Sequence, residues 1–300
     1  MREDRTGLIY GFVAYLLWGL FPLYFNLLSR SGAMEIVAYR VLFSMLFCLA
    51  VLVVVKRWHQ LGRLLRNRRA SLVLLAAGVL VTVNWSIYIY AVNTHRTLDA
   101  SMGYFINPLI SALLGVLVLG ERLRRVQWIA FALGAIAVVV LIVGYGQVPI
   151  IALGLALTFG TYGLVKKKVG ARAPALAGMA IETMAMMPLA VGYLVWLSVT
   201  GAATATDSLG YLALMMLSGP ITAVPLVLFA SAARRISLTM IGMLQYAAPI
   251  LQFLTGWAIF HEPMPPARWA GFVLIWIAVL IFASDGVRSA RAANVDVPRP

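Results

Sequence analysis

Apolar stretches long enough to cross a bilayer follow one another along almost the whole chain, and this limits the fold more than any other feature. About 18 or more apolar residues are needed to cover a ~30 Å hydrocarbon core. Ten such runs are read at approximately 8–28, 34–55, 71–91, 100–120, 125–144, 148–166, 175–199, 208–230, 237–260 and 266–284. In lipid every backbone N–H and C=O needs an internal partner, so open sheet edges are excluded and each run is expected to be a helix. The expected fold is therefore all-α, a polytopic membrane protein of ten transmembrane helices. With 62% apolar and 11% charged residues and a mean hydropathy of +0.93, the composition excludes an ordinary soluble domain. The segment 1–7 is short and charged, and the first run lacks a small-residue cleavage site, so it reads as a retained helix and not a removed signal.

A second feature divides the chain. Residues 108–138 reappear at 249–279 with one offset of 141 and no gap: Pro108, Leu113, Gly115, Glu121, Trp128, Phe131 and Leu133 fall on Pro249, Leu254, Gly256, Glu262, Trp269, Phe272 and Leu274. Matching leucines in an apolar chain carry little weight, but a proline, a glutamate and a tryptophan at one offset carry much more. The same offset takes Trp18 to Phe159 and Gly19 to Gly160. The uncharged stretch 144–150 is the natural junction. Five spans per half is an odd number, so the second copy must enter the membrane in the opposite direction. The expected organisation is two inverted five-helix repeats, 1–146 and 147–285, followed by a polar tail, 286–300, expected to be disordered and cytoplasmic. Many secondary transporters place their substrate between two such halves.

The net charge of +14 does not point to nucleic acid. With the N-terminus inside, 20 of the 24 Lys and Arg residues fall in cytoplasmic loops and tails; only Arg30, Arg40, Arg96 and Arg268 fall elsewhere. The positive-inside rule then puts both termini in the cytoplasm, and contact with anionic lipid accounts for the charge. A single cysteine, Cys48, excludes an intrachain disulfide and a thiolate cluster. The histidines His59, His95 and His261 lie in different loops, His261-Glu262 lacks the second histidine of a zinc helix, and no GxxxxGK[ST] phosphate loop is present. No catalytic residues, metal site or cofactor are expected.

Polar groups inside the spans are the stronger lead, because they are costly in lipid and face a cavity or another helix. Tyr104, Pro108 and Ser111 lie on one face of the fourth span, with Asn107 beside them, and the repeat places Gln245, Pro249 and Gln252 on one face of the ninth. The third span carries Asn84, Trp85 and Tyr88, and Pro225 stands at the position equivalent to Asn84. Trp18, Gly19, Pro22 and Tyr24 break the first span near its middle. The expected substrate-binding residues are Trp18, Asn84, Tyr88, Tyr104, Asn107, Gln245 and Gln252; helix–helix glue is the competing role for such side chains. Pro22, Pro108, Pro225 and Pro249 are expected flex points, since each removes a backbone donor. Two charges are embedded. Arg40 lies about 9 Å into the second span at 1.5 Å per residue, where it can assist coupling or snorkel outward. Glu182, deep in the seventh span, is read as a proton-coupling group or as a buried protonated acid.

The runs Ala14 to Phe25, Gly103 to Pro108, Leu119 to Leu123 and Leu244 to Pro249 resemble RarD proteins, a group within the EamA family of the drug/metabolite transporter superfamily. The resemblance covers nearly all of 7–285. It implies a ten-helix inverted-repeat fold in the bacterial inner membrane and efflux of small organic compounds. One departure is Tyr39, where the family often has histidine before the arginine that matches Arg40; this puts any proton coupling by that histidine in doubt here. The reading reached is a secondary transporter exporting small organic metabolites or drug-like compounds by alternating access. A non-transporting membrane subunit or channel-like facilitator is the alternative, and a membrane-embedded enzyme finds no cluster of acids, histidines or serines at one depth. The expected partners are a small-molecule substrate, membrane lipids, protons and a second copy of the chain in a homodimer, with no nucleic acid.

Overall fold

The computed structural model describes residues 5–120, 122–146, 148–169, 173–233, 235–236 and 238–295, and among them it contains helices and no strands. The helices are α1 (Arg5–Gly19), α2 (Phe21–Leu27), α3 (Ala33–Val54), α4 (Trp58–Arg66), α5 (Arg68–Asn93), α6 (Thr97–Leu119), α7 (Arg125–Tyr145), α8 (Ile150–Val169), α9 (Ala175–Val199), α10 (Leu209–Ala232), α11 (Leu238–Leu244), α12 (Ala247–Leu254) and α13 (Pro266–Val295). Among the described residues, eight segments are long and apolar enough to cross a bilayer, α1 and α2 together forming one of them. The runs read as the sixth and ninth spans contain shorter apolar helices, Ile150–Lys166 and Ala247–Ile259. The ninth run is broken by turns at Gln245 and Tyr246, ahead of Ala247–Ile259, and ends in a π-helical stretch, Thr255–Ile259.

Two details differ from the sequence reading. Residues 286–295, expected to belong to a disordered tail, continue α13 as helix; 296–300 lie outside the described residues. The loop after the second span, counted only for its positive charge, holds the short helix α4. Its Arg63 and Arg66 sit in the last turn, where cations favour the helix dipole, and its Leu64 is buried. The Asn67 side chain then caps α5 by accepting from Ala70 N–H at 3.1 Å.

Packing follows the repeat. The repeat-equivalent helices α3 and α9 lie against each other, as do α7 and α13. The other extensive contacts come in exchanged pairs: α5 on α8 matches α10 on α1, α6 on α8 matches α12 on α1, and α5 on α9 matches α10 on α3. Glycines set the closest approaches. A Cβ on Gly78 would meet Glu182 O at 2.5 Å, and one on Gly219, 141 residues later, would meet Phe43 O at 2.4 Å. Small residues allow such contact, which matters where lipid offers no hydrophobic drive between helices. The loop turns repeat as well: Gly120 has φ 69° and its equivalent His261 has φ 51°, the left-handed conformation glycine adopts freely.

The repeats are inverted. Glu35, in the first turn of α3, accepts from the backbone of Thr204 and Ala205 just past the end of α9, each at 2.9 Å. Thus α3 starts at the end of the bundle where its equivalent α9 finishes. This end carries few Lys and Arg residues and is called the low-charge end below.

Candidate substrate site

Arg40 is buried inside the bundle, about a third of the way along α3. It is 3% exposed, and its Nε–H donates to Thr222 Oγ1 at 2.9 Å, linking α3 to α10. Its guanidinium lies 4.0 Å from the Trp85 ring centre, 5.2 Å from Phe25 and 5.4 Å from Phe21. Outward snorkelling, open to it in the sequence, is not what it does: the side chain turns inward among aromatic rings. The phenols of Tyr24, Tyr88 and Tyr104 lie within electrostatic range of it.

Asn84 forms the second focus. Its amide donates to Thr158 Oγ1 at 2.9 Å and Leu155 O at 3.2 Å on α8, and its carbonyl oxygen accepts from the Tyr104 hydroxyl at 3.1 Å. Tyr104 in turn packs on Tyr88 at 5.7 Å and Phe159 at 6.0 Å, and Tyr88 packs on Phe25 at 6.0 Å. The Tyr88 hydroxyl is buried and has no hydrogen-bond partner among the described residues. Arg40, Asn84, Tyr88 and Tyr104 therefore form one neighbourhood drawn from α3, α5 and α6 and walled by α2, α8 and α10. Tyr104 is half-buried, as is Trp85, while Asn84 and Tyr88 are sealed.

A third focus joins α1 to α12. Proline at 22 lacks the N–H that would bond four residues back to Trp18 O. Gln252 takes that place, donating to Trp18 O at 3.2 Å, while its own Oε1 stays buried without a partner among the described residues. The Trp18 ring, half-buried, packs on Tyr15 at 5.3 Å and Phe229 at 5.8 Å.

The family model described as EamA-like transporter family matches this chain twice, over residues 5–143 and 148–284. The chain belongs to the EamA-like transporter family. A protein named Protein RarD from Streptomyces exfoliatus is 49% identical, with 98% of this chain and 93% of that protein aligned. One named Uncharacterized transporter YojE from Bacillus subtilis is 41% identical over 97% of this chain and 98% of its own length. The Chloramphenicol-sensitive protein RarD of Pseudomonas aeruginosa is 29% identical over 97% and 98%. A solved structure described as "Crystal structure of protein" superposes with a TM-score of 0.61 at 17% identity, covering 94% of this chain and 98% of that one, a likeness of fold. This EamA-like chain is accordingly a multi-pass membrane protein of a transporter family, and its relatives' names point to transport and not to enzymes.

The structure of the EamA-like chain gathers some of the residues singled out in the sequence and separates others. Asn84, Tyr88 and Tyr104 meet, and Trp18 and Gln252 meet. Gln245, half-buried, has the Tyr246 hydroxyl as its polar neighbour. Asn107, also half-buried, is in polar contact with Ser111 at 3.5 Å. Among the proline sites, Pro22 follows the break at Leu20, and Pro249 follows the turns at Gln245 and Tyr246; Pro108 and Pro225 sit inside helices that continue past them. Glu182 and Arg40 do not pair: Glu182 takes the Lys166 ammonium at 2.5 Å and the Tyr162 hydroxyl at 3.2 Å. Thr222, Thr158 and Lys166 were not assigned roles from the sequence. Only their polarity inside or beside an apolar run marked them, since the helices they touch lie far along the chain.

Proposed function

We propose that this chain is a secondary transporter that moves small organic molecules outward across the bacterial inner membrane by alternating access, with both termini in the cytoplasm. One observation carries the reading. Arg40, Asn84, Tyr88 and Tyr104, polar groups that lipid would not tolerate alone, converge between inverted halves, with Thr222 and Thr158 of the second half as partners. That is where transporters of this architecture hold their cargo. Asn107 and Gln245 belong to the path leading to the site, and Trp18 and Gln252 to the contact that closes around it. The family resemblance supports the outward direction.

Glu182 is the proposed proton carrier. Protonation of its carboxylate would break the pair with Lys166 and free both side chains between α8 and α9. Proteoliposomes holding the purified chain, loaded with a panel of small acids, amines and neutral aromatics, test both parts. At least one compound should be carried in a saturable, pH-gradient-driven manner. Asn84→Ala and Tyr104→Phe should each lower the flux, and Glu182→Gln should leave exchange running while removing the response to the gradient. Flux that never saturates and ignores the gradient would indicate a channel, and full activity of both site variants would remove the site.

A further inference from the structure

Buried charges in the described residues follow a rule that Arg40 breaks. Glu35 is held by the backbone N–H groups of Thr204 and Ala205, and Glu262 by those of Thr97 and Leu98. Asp99 faces Arg268 and Arg96, and Glu182 faces Lys166. Each has an opposite charge or a pair of amide donors. Arg40, 3% exposed and about 10 Å along α3 from its start, has no carboxylate within ion-pair distance among the described residues. A guanidinium carries five N–H donors. The Nε–H goes to Thr222 Oγ1; the four on the terminal nitrogens find no acceptor among the described residues.

The surroundings repeat the deficit. The Tyr88 hydroxyl, within electrostatic reach of Arg40, is buried and without a partner among the described residues. So is the Ser44 hydroxyl, one turn further along the same face of α3. The ring of Trp85 at 4.0 Å offers cation–π attraction, but a ring face accepts no fork of hydrogen bonds. A lone buried cation is costly unless paired and hydrogen-bonded. A carboxylate supplies both the charge and the two parallel acceptors that a guanidinium fork matches.

We infer that Arg40 is the binding residue for the carboxylate of an organic acid, whose apolar body lies against Trp85, Phe25 and Tyr88. The inference rests on reading this neighbourhood as the substrate site and names the class of substrate it takes. The phenol and serine hydroxyls donate to the same carboxylate, and a primary amine is repelled.

Benzoate, benzamide and benzylamine share one ring and differ in charge, so they serve as probes for the full chain in nanodiscs of uncharged lipid. Benzoate should raise the melting temperature in a saturable way, with benzamide weaker by roughly tenfold or more, the scale of a charge-assisted hydrogen bond, and benzylamine without effect. Arg40→Lys, which keeps the charge and loses the fork, should weaken benzoate and leave benzamide unchanged; Arg40→Gln, if it folds, should abolish the preference. A saturable shift that is absent for benzoate, equal for benzamide, or unaltered in Arg40→Lys would overturn the inference. Binding of benzoate at Arg40 without carrier-type flux in proteoliposomes would remove the transport reading alone, and flux of neutral compounds without acid preference would remove this inference alone.

Discussion

Asn84 bonds Tyr104 on its own half and Thr158 on the other, so one side chain ties α5 to α6 and α8. Replacing it with leucine keeps the volume roughly and leaves the buried side of the Tyr104 hydroxyl without its acceptor. The cost of such an orphaned group is about 1–3 kcal/mol. Asn84→Leu should lower stability on that scale in a reversible detergent unfolding titration, with transport lost. Tyr104→Phe, which removes the donor and leaves the buried Asn84 Oδ1 without it, should cost stability on the same scale. That Asn84 matters was legible, because an amide in the middle of an apolar run must find partners. The partners were not: its repeat position holds Pro225, and no periodicity of α5 encodes which helix 70 residues on will face it. For Arg40 the sequence left two roles open, coupling and snorkelling, for a related reason. Its depth in the sequence allowed snorkelling, and only the arrangement of α2, α5 and α10 shows that rings close over it on the inner side.

Among the helices, the glycine contacts give a sharper test than the prolines. Gly78 and Gly219 are repeat equivalents, and each meets a backbone carbonyl of the neighbouring helix at a distance no Cβ can keep. Alanine at either must push two helices apart, an overpacking cost of about 1–3 kcal/mol. Gly78→Ala and Gly219→Ala should destabilise similarly and nearly additively, since they lie at the separate α5–α9 and α3–α10 interfaces. Gly62→Ala, with nothing within 4 Å, is the control that should not. Eight of the apolar runs were legible as helices of spanning length because the bilayer fixes that length, while the sixth and ninth hold shorter apolar helices among the described residues. The breaks were less so, because a proline alone does not decide between a kink absorbed within a helix and an interrupted one. Pro22 and Pro249 lie beside interruptions where a side chain from elsewhere serves the backbone: Gln252 bonds Trp18 O, and Ser101 donates to Pro249 O at 2.9 Å. Pro108 and Pro225 lack such an interruption, and their helices continue.

Across the whole molecule, the inverted repeats are equal in packing and unequal in shape. The broken segments α1–α2 and α11–α12 face each other, whereas their equivalents α8 and α6 are continuous and face each other on the opposite side of the pseudo-two-fold. Arg124 with Asp285 joins the halves at the basic end, whereas four polar links across the halves hold the low-charge end: Arg30 with Asp207, Glu35 with Thr204, Glu262 with α6, and Asp99 with Arg268. An inverted repeat that exchanges the shapes of its halves would open this end and close the other, which is alternating access stated as geometry. Glu262 is the most exposed point of that argument. Its two oxygens accept from Thr97 N–H at 2.6 Å and Leu98 N–H at 2.9 Å, where the α6 dipole favours an anion. Glu262→Gln removes the charge and one acceptor, a loss of about 1 kcal/mol, or a roughly fivefold shift in population. Spin labels at Thr94 and Leu209, exposed at the low-charge end, should show a longer-distance population that grows in Glu262→Gln. Labels at Trp58 and Ala233, exposed at the basic end, should show the matching shorter one. Widening at both ends together, or at neither, would mean that the halves do not exchange and that the duplication serves only to build the bundle.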